Sequence, residues 1–422
     1  MQFSQYKLRN GIRVILAPLQ ETKAVTVLVL VKVGSRYEPR RLNGSSHFVE
    51  HLMFKGTRKR PTSLAITREL DGIGAEYNAF TSKDHTGYYI KASAENLPLA
   101  LEMLSDMIFR SQFRVQEVER ERGVIIEEIN MYNDNPLMNL DDLFEDTVYG
   151  DQPLGWNISG PKEVIQRVTR KDILGYYRQH YRPASMLVGV AGQLNGVAKE
   201  LVERYFGSQP SHGRASPFSP IRHRQRKPQV KVKYKDTEQV QLGLGFPSYA
   251  YGHPKLYALY LMSVVLGGNM SSRLFTAIRD RKSLCYFIRS SVNVYEDTGN
   301  LMVQAGLDKK RIPEAIRAIL EELSRVRRQG VTPRELHKAR AYLKGKLMLE
   351  LEASDHVVSW LARQELLQNR ILTPAEQVKQ LERVTLSDIR LVAKDIMQTK
   401  KLNLALIGPS RKPDAFVPLL RV

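Results

Sequence analysis

Two histidines four residues apart, with a glutamate beside the second, stand near the start of the chain as His47-Phe-Val-Glu50-His51. On a helix that spacing stacks both imidazoles on one face, and Glu50 lies close to the same face. Neutral imidazole is a good ligand for zinc, and a carboxylate next to the metal can act as general base. The order H-x-x-E-H is the inverted form of a metallopeptidase motif. A catalytic zinc takes about three protein ligands and leaves one position to water, so a third ligand must come from elsewhere.

The segment Glu119-Arg-Glu-Arg-Gly-Val-Ile-Ile-Glu-Glu-Ile129 offers it. Glu121 and Glu128 are seven residues apart and share a face two helical turns from each other. Glu128 fits the third ligand, with Glu121 orienting a ligand histidine from behind. Glu127 competes for the ligand role, and spacing alone does not decide between them, although it points about 100° away from Glu128 on a helix. The plain alternative is an ordinary polar helix beside a solvated acidic face, which an isolated five-residue motif does not exclude.

Composition sets the frame. The chain has 422 residues, 42% of them hydrophobic and 26% charged, which implies globular folding. No stretch reaches the roughly 18 to 20 apolar residues needed to cross a bilayer. The first residues show no basic patch followed by an apolar run, so no signal peptide is visible. A single cysteine, Cys285, excludes an internal disulfide and fits a reducing compartment. These features predict a soluble, cytoplasmic protein with no membrane partner. The formal charge of +20 is concentrated in Arg222 to Lys235, Lys309 to Arg311 and Arg325 to Arg328, while Leu101 to Glu200 is acid-rich. Basic blocks broken by acidic residues mark a solvated surface, and no nucleic-acid-binding motif accompanies them, so no nucleic-acid partner is expected.

The elements that must position the motif follow from pattern. Asn10-Gly11 reads as a turn between two short strands, and the β-branched run Val25 to Val33 as a central strand. Ser45 or Ser46 is the expected cap of the helix bearing His47, Glu50 and His51. A helix over 61–70, a hairpin over 76–92, helices over 97–109, 115–131, 137–149, 162–165 and 170–180, a strand over 185–192 and a helix over 198–206 complete the first half. A stretch rich in proline, glycine and serine follows and reads as a linker. The second half repeats the rhythm: strands over 230–245, helices over 253–266 and 271–279, a hairpin over 287–306, helices over 312–329, 333–351, 353–367 and 374–381, and a final strand over 402–407. The expected fold class is α+β, with two homologous domains, each a mostly antiparallel sheet with helices packed on it. The expected boundaries are 1–208 for the zinc-binding domain, 209–229 for the linker and 230–422 for the second domain.

Four blocks resemble the pitrilysin family, the inverted-zinc-motif metallopeptidases, and are most similar to short bacterial members related to the mitochondrial processing peptidase. They are Val33-Gly-Ser-Arg-Tyr-Glu-Pro running on to the motif and Phe54-Lys-Gly-Thr57; Gly74-Ala-Glu-Tyr-Asn-Ala-Phe-Thr-Ser to Tyr89; Glu119 to Ile129; and Leu266-Gly-Gly-Asn-Met-Ser-Ser-Arg to Arg279, continued to Leu284-Cys-Tyr286. The resemblance implies that His47, His51 and Glu128 bind zinc, that Glu50 activates water, and that Glu121 supports the site. It implies that Arg279 and Tyr286 face the zinc from a second domain, and that the chain pairs as a homodimer in which those two residues serve the other subunit's metal. It also implies a chamber in which peptides or unfolded segments are cut. Asn78, Ala79 and Phe80 are the expected substrate-binding residues on a strand to which peptide adds; Phe80 reads first as core and only second as part of a specificity pocket. The expected activity is that of a zinc metalloendopeptidase on peptide substrates, with two alternatives: a dedicated protein-processing peptidase, or a non-catalytic scaffold subunit.

Overall fold

A computed structural model describes residues 1–210 and 217–422, so the part of the expected linker at 211–216 lies outside the described residues. The strands are β1 (Ser4–Lys7), β2 (Arg13–Pro18), β3 (Ala24–Val31), β4 (Glu76–Thr81), β5 (Thr86–Ser93), β6 (Met186–Gly192), β7 (Gln229–Tyr234), β8 (Gln239–Ser248), β9 (Cys285–Val294), β10 (Gly299–Asp308) and β11 (Asn403–Gly408). The helices are α1 (Ser45–Met53), α2 (Ser63–Asp71), α3 (Leu97–Arg110), α4 (Val115–Asp134), α5 (Pro136–Tyr149), α6 (Lys162–Arg167), α7 (Arg170–His180), α8 (Ala198–Phe206), α9 (Leu256–Gly267), α10 (Ile312–Gln329), α11 (Pro333–Glu350), α12 (Ser354–Gln368), α13 (Pro374–Arg383) and α14 (Leu386–Ile396). None of them is long and apolar enough to cross a membrane.

Two compact units form. The first comprises Met1–Ile129, Asn157–Ser219 and Met348–Thr373; the second comprises Asn130–Trp156, Pro220–Leu347 and Pro374–Val422. Each unit therefore includes a segment from the far side of the breaker-rich stretch, of which residues 217–228 form neither helix nor strand.

The first unit holds a six-stranded sheet in the order β1-β2-β6-β3-β5-β4, antiparallel except where β2 and β6 run parallel. Successive side chains of β3 point to opposite faces. Val25, Val27, Val29 and Val31 enter the core shared with α1 and α3, whose members include Phe48, Leu52, Leu101 and Leu104. The other face is covered by α12. There Thr26 Oγ1 lies 2.8 Å from Ser354 Oγ, Lys91 Nζ is 3.4 Å from Asp355 Oδ1, and Arg13 Nη1 donates to Glu365 O at 3.0 Å. A strand buried on both faces reads as a nearly continuous hydrophobic run, and the one polar side chain of β3, Thr26, is paired with Ser354. Gly189 of β6 lets α12 lie close: a Cβ at that position would sit 2.5 Å from Val358 Cγ2.

The second unit repeats the plan. Its sheet runs β7-β11-β8-β10-β9, antiparallel except for the parallel pair β7 and β11. Leu404 and Leu406 of β11 face one core with α9, α10 and α14, while Ala405 and Ile407 face Leu140, Phe144 and Val148 of α5. Lys231 Nζ on β7 pairs with Asp146 Oδ2 at 2.6 Å, and Lys233 Nζ donates to Asn139 Oδ1 at 2.8 Å. Strand by strand, β2, β6, β3, β5 and β4 correspond to β7, β11, β8, β10 and β9, and α12 corresponds to α5. The protein is thus two homologous α+β domains, each a mostly antiparallel sheet with helices packed on it.

Two local expectations differ. The helix expected over 271–279 is present but begins at residue 273 and continues as a π-helical turn at Phe275–Asp280, and α14 had no counterpart in the sequence reading.

Candidate metal centre

Helix α1 carries the paired histidines, and its start is unusual. Gly44 sits at φ 100°, a left-handed conformation that suits glycine, and a Cβ there would meet Ser159 O at 2.5 Å. Neither serine caps the helix. Ser46 Oγ is engaged with Tyr176 OH at 2.7 Å. The buried Glu38 takes the capping role: Gly44 N donates to its Oε2 at 2.7 Å, Ser46 N to its Oε1 at 2.6 Å, and Asn43 Nδ2 to Oε2 at 2.9 Å. A carboxylate here also complements the positive end of the helix dipole.

His47 and His51 point together from this helix, and α4 brings Glu128 to them. His47 Nε2 and His51 Nε2 are 3.3 Å apart, and Glu128 Oε2 lies 3.5 Å from the first and 3.4 Å from the second. Three ligand atoms form a nearly equilateral triangle. Glu127, one residue earlier, is exposed and outside the triangle. His51 Nδ1 lies 3.1 Å from Glu121 Oε2. A carboxylate only accepts, so Nδ1 carries a proton, and in the neutral ring Nε2 is left with a lone pair aimed at the triangle.

Electrostatics follow from this packing. Burial, helped by the neighbouring His51, lowers the His47 pKa to about 4. Burial would lower His51 as well, but hydrogen bonds with Glu121 and Glu128 outweigh it and raise the group to about 9. Hydrogen bonding from His51 holds the Glu128 carboxyl below its ordinary value against the effect of burial. A proton shared between His51 and Glu128 can serve one edge of the triangle; a divalent cation serves all three corners. The corners of a triangle of this size lie about 2 Å from its centre, the zinc–nitrogen and zinc–oxygen bond length. The donor set, two imidazoles and a carboxylate, also fits zinc. Among the described residues it is the single grouping of three such side chains.

Glu50 sits between the histidines in sequence. Burial raises its carboxyl pKa, and Thr81 Oγ1, at the end of β4, opposes this by donating to Glu50 Oε2 at 2.5 Å. Glu121 is 1% exposed, and its other oxygen, Oε1, is 2.9 Å from Lys55 Nζ. Burial would raise the Glu121 carboxyl, but hydrogen bonds from His51 and Lys55 hold it low. Asn78, Ala79 and Phe80 lie on β4, the outer strand of its sheet. Asn78 is exposed, Ala79 and Phe80 are half-buried, and the Phe80 ring stands edge-on to His85 at 5.8 Å.

Arg279 and Tyr286 belong to the second unit and lie together there. Arg279, on the π-helical turn, donates from Nε to Tyr286 O at 2.7 Å, and its guanidinium lies 4.7 Å from the Phe275 ring centre. Tyr286, at the start of β9, is 72% exposed.

The sequence reading did not single out Glu38, Lys55 or Thr81. Lys55 carried a weak signal, since it follows His51 by four residues, although the helix ends before it at Met53. Glu38 and Thr81 carried none, because their contacts come from loop and strand packing.

This arrangement, a duplicated α+β domain whose first copy gathers two helix-borne imidazoles and a carboxylate, defines a class of metallopeptidase-like proteins. The comparisons agree at the level of family. Residues 13–162 match the model for insulinase (peptidase family M16), and residues 167–343 match that for the peptidase M16 inactive domain. The chain is 36% identical to the uncharacterized zinc protease YmxG of Bacillus subtilis, over 96% of this chain and 98% of that one. It is 32% identical to an uncharacterized zinc protease of Streptomyces coelicolor, over 97% and 90% of the two. The crystal structure of a protease from Helicobacter pylori superposes with a TM-score of 0.91 at 28% identity, covering 97% of this chain and all (100%) of that one. The chain belongs to peptidase family M16, the pitrilysin family.

Proposed function

We propose that the protein is a zinc-dependent endopeptidase acting on peptides or unfolded segments. The observation that carries this reading is the triangle of His47 Nε2, His51 Nε2 and Glu128 Oε2, with Glu50 beside it. The two zinc protease relatives, similar along nearly their whole length, support it. Zinc held by these three side chains would supply Lewis acidity, acidifying water and polarising the scissile carbonyl.

The chain's own groups do the rest. Glu50 takes the proton of the attacking water and passes it to the leaving amine. Thr81 holds one oxygen of Glu50, leaving the other for that proton. Tyr286 donates a hydrogen bond to the developing oxyanion, and Arg279 holds a substrate carbonyl or carboxylate. The substrate backbone pairs with the open edge of β4 at Asn78, Ala79 and Phe80, so unfolded segments are accepted and folded ones refused. The family resemblance supports a homodimer, with Arg279 and Tyr286 completing the site of the other subunit around a chamber.

The test is a set of single substitutions assayed on an unfolded peptide with zinc present. Glu50→Gln is expected to abolish cleavage while bound zinc stays near the parental amount; parental activity in that variant would dismiss Glu50 as the base. His47→Ala and His51→Ala are expected to lose both zinc and activity, and full zinc retention in either would count against the ligand pair.

A further inference from the structure

Lys55 lies just beyond α1, where its amide still bonds to Leu52 O at 3.1 Å, and Gly56 at φ 116° turns the chain away after it. Its side chain is thereby directed at α4. Lys55 Nζ sits 2.9 Å from Glu121 Oε1, the oxygen that His51 does not use, and His51 Nδ1 sits 3.1 Å from Oε2. Glu121 is almost wholly buried, whereas the Lys55 side chain keeps 26% of its surface exposed. When His51 serves as a metal ligand its ring is neutral, and a buried carboxylate facing a neutral imidazole alone is costly, because the charge has left water without a counter-charge. Lys55 supplies that counter-charge from the solvent side. It also removes a freedom: with Oε1 fixed, the carboxylate plane is fixed, and Oε2 has one place to be.

We propose that Lys55 is a positioning residue of the metal centre. It acts through Glu121 and touches neither the ligand atoms nor the substrate. By fixing Glu121 it fixes the His51 ring, with Nδ1 bound behind and Nε2 turned toward His47 and Glu128. The inference rests on the zinc-site reading above and extends it by one link. Groups that orient a ligand histidine typically govern metal affinity by roughly 10- to 100-fold.

Zinc affinity of the purified full-length protein, measured by competition with a chromophoric chelator, tests it without any substrate. Lys55→Met is expected to weaken zinc binding roughly 10-fold or more, and Lys55→Arg, which keeps the charge and a donor, is expected to bind close to the parent. In a Glu121→Gln background, Lys55→Met is expected to change nothing further. Where Lys55→Met does not fold, as judged by thermal unfolding of the zinc-free protein, Lys55→Gln takes its place. Parental affinity in Lys55→Met, or an equal further loss on top of Glu121→Gln, overturns the inference alone. A parent protein that binds no zinc overturns the metal-site reading and this inference with it.

Discussion

Thr81 and Glu50 show how much a single hydroxyl decides. Burial favours the protonated form of Glu50, which could not accept a proton, and the donor from Thr81 favours the ionised form. Thr81→Val should keep zinc, leave KM close to the parent and lower kcat by roughly tenfold or more, and Thr81→Ser should recover most of the loss. Steady-state kinetics on an unfolded peptide, beside metal analysis, will read this; a valine variant with parental kcat would remove Thr81 from the mechanism. The grouping of side chains was legible because covalent spacing on a helix dictates which side chains share a face: four residues for His47 and His51, seven for Glu121 and Glu128. The choice between Glu127 and Glu128 was not legible. It depends on how α4 is rotated against α1, which is fixed by packing at Val118, Ile125 and Ile129.

At the scale of the element, the start of α1 is the informative case. Helix and cap were both expected, yet the cap comes from Glu38, seven residues before Ser45, through a loop rather than from a serine at the helix itself. Local propensity identifies helix ends only when the capping group is local. Glu38→Ala should leave Gly44 N, Ser46 N and the Asn43 amide without their buried acceptor and destabilise the fold by about 3 kcal/mol. Denaturant unfolding of the variant measures it, and a change within error of zero would show that water or Asn43 takes over. Helix α14 illustrates the opposite. Its capping box, Thr385 with Asp388, is local and was available as a signal. The π-helical turn at Phe275–Asp280 had no such signal, since the extra residue in the turn reflects tertiary packing rather than composition.

At the scale of the molecule, the repeated succession of strands and helices was legible from rhythm, because alternation and helical period survive where sequence identity does not. The membership of α5 and α12 was not, because periodicity says that a helix has an apolar face and not which sheet it covers. Each of these helices covers the sheet built mainly from the other half of the chain. A fragment ending at residue 210 would lack α12 and expose the face of β2, β6 and β3 that includes Thr26 and Gly189. That fragment alone should aggregate, whereas production together with a fragment starting at residue 217 should give a soluble pair. Size-exclusion chromatography of both preparations decides, and a monodisperse first fragment on its own would show that α12 is dispensable.

The exchange of α5 and α12 also bears on how such a gene can change. A domain whose covering helix lies within its own stretch of chain can be moved between proteins as a cassette; here each half of the chain supplies the helix that covers the other half's sheet, so recombination that separates them would uncover both. Inheritance of the whole chain as one block is the outcome such a constraint favours. Alignment with the Bacillus subtilis relative across 96% of this chain and 98% of that one is what it would leave behind.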